Sequence, residues 1–186
     1  MVKAGYILLL FSVASQPVFS QTQNASFGDI RKSYEKKDID DHTALPDVKW
    51  YIRKAKSAGN YRNLIQGYRD GRQFDRANKL RYADSALNAS MKYGTPDDIS
   101  RDYLSKGVIY YYYQKNYRKA LGNYVQAYKY SKHSKDQYLK YKILYHMGVV
   151  KSHLAMYNEA LGHFNECLQY YSHNMPGGRE SSETYN

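Results

Sequence analysis

The chain has 186 residues, a formal net charge of +11 at pH 7 and 23 tyrosines. That length suffices for one domain with a sizeable core and leaves little room for a second. Its single cysteine, Cys167, excludes a framework of intrachain disulfides, so the core must hold by packing.

The chain opens MVKAGYILLLFSVASQPVFSQTQ. Lys3 supplies a short basic region, Ile7 to Ala14 an apolar run, and Val18, Phe19 and Ser20 a cleavage site before Gln21, which together predict a signal peptide over residues 1–20. The apolar stretch is about 11 residues against the roughly 20 needed to cross a bilayer, and the rest of the sequence has no comparable run. The expectation is a periplasmic or secreted protein with no stable membrane span once the leader is removed.

Residues 21–45 read as a polar leader with one short helix around Asp29 to Lys37. Pro46 fits the first turn of the next helix, where its missing amide costs nothing, and Asp47 favours that terminus. Val48, Tyr51 or Ile52, and Ala55 then share one face, until Gly59 and Asn60 end the helix. Tyr61, Leu64, Ile65 and Tyr68 form a second stripe, Gly71 is expected to make a turn, and Leu80, Ala83, Leu87 and Met91 form a third stripe ending near Gly94. Thr95 is placed to cap the following helix, with Pro96 in its first position.

The last third of the chain repeats itself. YLSKGVIYYYYQKNYRKALGNYVQAYKYS and LYHMGVVKSHLAMYNEALGHFNECLQYYS align at a separation of 40 residues, matching Tyr117 with Tyr157, Ala120 with Ala160, Tyr124 with Phe164, and Ala127 with Cys167. Small residues that let helices approach alternate with aromatic rings that fill the wider gaps one turn later. Each hairpin alone would leave an apolar face bare, so the units must stack. The expected fold is all-α, built of antiparallel helical hairpins. Within GVIYYYYQKNY, this alignment assigns Tyr111 and Tyr117 to packing and leaves Tyr110 and Tyr113 as the accessible tyrosines.

These residues resemble a tetratricopeptide repeat (TPR) array. Gly148 fits the small first-helix position, Tyr157 the aromatic before the second helix, and Ala160, Phe164 and Cys167 the small–aromatic–small series. In the preceding unit Val108 falls at the small position with Gly107 one residue early, while Tyr111, Tyr117, Ala120, Tyr124 and Ala127 fit. An earlier unit aligns through Leu64, Ile65, Tyr68, Phe74 and Ala77, with Arg81 breaking its series. Lys151 departs from the pattern, standing where an aromatic is usual, and the separation exceeds the usual ~34 residues. The resemblance implies a short right-handed α-solenoid over residues 46–173 and a flexible tail over 174–186. More narrowly, the leader, the Ala44-Leu45-Pro46 opening and YADSAL at Tyr82 to Leu87 look like the extracytoplasmic sensor half of Bacteroidetes regulators. There a membrane helix and a helix-turn-helix DNA-binding domain follow the repeats, and neither is present in this sequence. DNA binding is therefore not carried over.

Between Tyr103 and Asn158 the only acid is Asp136, against Arg118 and many lysines interleaved with tyrosine. This stretch reads either as a solvated face or as a surface for a protein or peptide, acidic by complementarity. The candidate contacts are Lys106, Tyr110, Tyr113, Lys142, His146, Lys151 and His153. His146, His153 and His163 lack the short-range spacing of a metal site, and Cys167, matched to Ala127, reads as a buried small residue. No nucleophile elbow, glycine-rich phosphate cradle or paired-carboxylate motif is present. The sequence thus points to an exported interaction module, a sensor fragment of a regulator by resemblance, with no enzymatic activity, cofactor or nucleic-acid partner expected. The alternative is a self-associating envelope-assembly protein, a homo-oligomer joined through its apolar end.

Overall fold

The structure is a computed structural model and describes residues 25–174. The signal peptide over 1–20 and the tail beyond Asn174 lie outside the described residues. Within them the chain is all-α, with eight α-helices, a 3-10 turn at His42–Ala44 and no strand: α1 (Phe27–Lys32), α2 (Leu45–Ser57), α3 (Tyr61–Phe74), α4 (Lys79–Tyr93), α5 (Pro96–Tyr112), α6 (Tyr117–Ser131), α7 (Gln137–His153) and α8 (Tyr157–Asn174). Each helix packs on the next in sequence, and α5 also touches α7, as stacked hairpins require.

The polar leader is not a free arm. Ser26 caps α1 by accepting the Asp29 amide hydrogen, and Ile30 and Tyr34, four residues apart, are both buried against Ala44, Val48, Tyr51 and Phe74. The Tyr34 hydroxyl donates to Asp70 Oδ2 at 2.8 Å, and Gln66 and Arg31 donate to the same carboxylate at 2.7 and 3.2 Å. A buried carboxylate with this many donors is satisfied, so the network ties the leader to α3. The α1 helix starts before Asp29 and stops at Lys32, short of the Lys37 expected from sequence.

Pro46 sits in the first turn of α2, and Val48, Tyr51 and Ala55 are its buried residues. Thr95 and Asp98 form a reciprocal capping box at the start of α5, with Pro96 in the first turn. Gly71 does not make a turn. It lies inside α3 because the Tyr82 ring of α4 occupies the space a side chain there would need. Phe74 is the buried last residue of α3, and Ala77 belongs to the link before α4, so the earlier repeat unit is displaced from the alignment expected through those residues. The buried positions of α4 that match Ala120, Tyr124, Ala127 and Ser131 of α6 are Lys79, Ala83, Ala86 and Ser90.

The glycine device recurs in the two later hairpins. A Cβ on Gly148 would stand 2.7 Å from Cε1 of Phe164, and one on Gly107 would meet the Tyr124 ring. Gly107, not Val108, is therefore the small position of its unit. The one-residue offset is absorbed in the turns. Asn116 N–H returns to the Tyr110 carbonyl, six residues back, whereas Met156 N–H returns to Lys151, five back. Both turns pass through a left-handed residue, Lys115 (φ 52°) and Ala155 (φ 58°). Ala120, Tyr124 and Ala127 are fully buried, Ala160 and Cys167 nearly so, while Phe164, Tyr111 and Tyr117 are half-buried. Tyr157 departs from its expected packing role: it is 68% exposed. Its counterpart Tyr117 is covered by His153 of the following helix, with ring centroids 4.7 Å apart, and no described helix follows α8.

Candidate functional site

Helices α3, α5 and α7 share one groove, and ion pairs brace its walls. Arg69 of α3 clamps Asp102 of α5 with Nε–Oδ1 and Nη2–Oδ2 distances of 2.7 and 3.0 Å and reaches Asp98 at 3.1 Å. Such a bidentate fork fixes geometry as well as charge. Arg101 of α5 donates to Asp136, the residue that caps α7.

The groove consists of two adjoining hollows of about 410 and 260 Å³ that share Arg72, Leu104, Ser105 and Lys142. Leu104, Val108 and Ile109 supply an apolar floor, with Tyr113, Lys142 and His146 on the wall. Arg72 lies one turn beyond Arg69 and makes no ion pair with a described side chain, although Asp102 and Asp70 still act on its charge. Burial pulls its guanidinium below the ordinary arginine pKa, a direction that a bound anion would reverse. Lys142 has its ammonium 5.8 Å from the Tyr138 ring centroid and makes no ion pair with a described residue. Lys79, by contrast, is held by Asp40 at 2.9 Å and lies 5.2 Å from the Tyr113 ring centroid. Burial, with Lys142 beside it, pushes the His146 imidazole down to about 4, so the ring is neutral at pH 7.

Of the seven residues the sequence nominated, the groove gathers Tyr113, Lys142 and His146. The other four are engaged elsewhere. Lys106 pairs with Asp84 of α4 at 2.7 Å, and Tyr110 packs on the core with the Lys119 ammonium 5.5 Å from its ring centroid. Lys151 is bound to Glu159 at 2.6 Å and lies 3.1 Å from His163 Nε2. His153 stacks on Tyr117 and shares a 2.8 Å hydrogen bond with the Tyr111 hydroxyl. Arg72 and Ser105 were missed. The available signal was the pair Arg69 and Arg72 at helical spacing on α3, outside the basic stretch that drew attention.

Among the described residues no group of three or more His, Cys, Asp or Glu side chains is placed to hold a metal ion. The Cys167 thiol donates to the Tyr141 carbonyl at 3.3 Å, and burial pushes its pKa up to about 11, away from a reactive thiolate. A larger hollow of about 940 Å³ lies between α3 and the start of α5, but Arg31 and Arg69 on its lining are already paired with Asp70, Asp98 and Asp102. No described helix is long and apolar enough to cross a membrane. No protein-family model matches the chain, and no curated protein matches it.

Proposed function

We propose that the chain is an exported helical-repeat module of the tetratricopeptide kind, a right-handed solenoid that captures an extended acidic peptide segment along α3, α5 and α7. The observation that carries this reading is the pair Arg72 and Lys142 at the junction of the two hollows, neither of which makes an ion pair with a described carboxylate. Leu104, Val108 and Ile109 offer the peptide apolar contact, and Ser105 offers it a hydroxyl. Arg69 and Arg101 already brace the helices around the floor before binding, which lowers the ordering cost of capture. The chain's role as the sensor portion of a regulator rests on its sequence resemblance. Fluorescence anisotropy with labelled peptides of graded net charge tests peptide capture. Acidic peptides should bind more tightly than neutral ones of equal length, and salt should weaken them. Equal affinity across the series would refute the reading.

A further inference from the structure

Tyr117, Leu121 and Tyr128 of α6 pack into the core cluster that holds Ile143, Met147 and Val150 of α7. Their repeat counterparts on α8 are Tyr157, Leu161 and Leu168, which are 68%, 58% and 68% exposed. A stripe of large apolar side chains over three helical turns is a surface built to be covered. Its flank differs from that of α6 in a telling way. Arg118, Val125, Lys129 and Lys132 border the α6 stripe, whereas the matching residues on α8 are Asn158, Asn165, Gln169 and Ser172. On a chain of net charge +11 this is a face without a cation, where two copies can approach without like-charge repulsion. An acidic partner, by contrast, would find nothing on this face to draw it.

We infer that α8 is a self-association surface, and that a second copy of this chain covers Leu161 and Leu168 with the same two residues of its own α8, while Tyr157 lies at the edge against the other copy's last turn. Such a contact is isologous, and a two-fold axis near Asn165 places Leu161 of one copy against Leu168 of the other. The face is separate from the groove of α3, α5 and α7, so dimer formation and peptide capture are independent.

The test is sedimentation equilibrium of the full chain over a wide concentration range. The inference expects the mass to rise from one chain to two. Leu161→Glu with Leu168→Glu should raise the dimer dissociation constant by about 30-fold or more, the scale of losing a central contact residue, with the far-ultraviolet circular dichroism unchanged because both side chains are exposed. Val125→Glu, at an exposed apolar position of α6 outside the face, should leave the dimer intact. A single-chain mass at every concentration would overturn the inference. So would a dimer that survives the double substitution, which would place the contact elsewhere.

Discussion

The Tyr124 ring occupies the volume that a side chain on residue 107 would need, so the α5–α6 hairpin closes at the contact between these two residues. The same substitution should therefore have opposite signs at two helical glycines. Gly107→Ala forces Tyr124, fully buried, to move and should cost ~1–3 kcal/mol, the range for overpacking a core. Gly122→Ala, on the next helix with nothing within 4 Å of an added Cβ, should stabilise by ~0.5–1 kcal/mol through the helix propensity of alanine. Urea midpoints at constant slope measure both.

Two buried tyrosines should respond differently to loss of the hydroxyl. Tyr34→Phe removes a 2.8 Å bond to Asp70 and should cost ~1.5–3 kcal/mol, the range for a hydrogen bond to a charged group. The Tyr124 hydroxyl is buried without a hydrogen-bond partner among the described residues, and burial raises its pKa. Tyr124→Phe should be neutral or stabilising, as the phenylalanine at the matching position 164 suggests. Chemical denaturation of the two variants compares them directly.

Stability should fall in mildly acid solution because of His146. Its imidazole has an ordinary pKa of 6.5 in the unfolded chain and about 4 in the fold, where burial and Lys142 oppose its charge. Between those values the unfolded chain binds more protons, so stability rises with pH across the interval. The contribution is complete above pH 6.5 and is lost as pH falls through the folded value near 4. Burial and Lys151 lower His163 in the same direction. His146→Leu should flatten part of the slope of unfolding free energy against pH in this interval, and an unchanged profile would show that His146 does not contribute.

The helices were legible because their signals are local. Thr95-Pro96 announced the start of α5, and the apolar stripes of α2, α6 and α8 follow the helical period. Gly71 misled because a glycine that receives a neighbouring ring and a glycine that makes a turn look alike until Tyr82 is placed. Ile30 and Tyr34 were overlooked since two apolar residues among charges do not mark a stripe, although they complete a core whose other half lies on α2 and α3. The groove was only partly legible for an electrostatic reason. Arg69 and Arg72 have the same local context, and only the fold pairs Asp98 and Asp102 with the first while leaving the second without an ion pair among the described residues. The same holds for Lys106 and Lys142, one consumed by Asp84 and the other open to the groove.

Arg72 and Lys142 should together hold an acidic peptide. The most direct measurement is anisotropy of one labelled acidic peptide against the full chain and three variants: Arg72→Ala, Lys142→Ala and Lys106→Ala. The first two should each weaken binding by ~10-fold or more, consistent with loss of a charge-assisted contact. Lys106→Ala should leave affinity unchanged, because Asp84 already holds that lysine. Undiminished binding in either of the first two variants, or binding that depends on Lys106 instead, would contradict it.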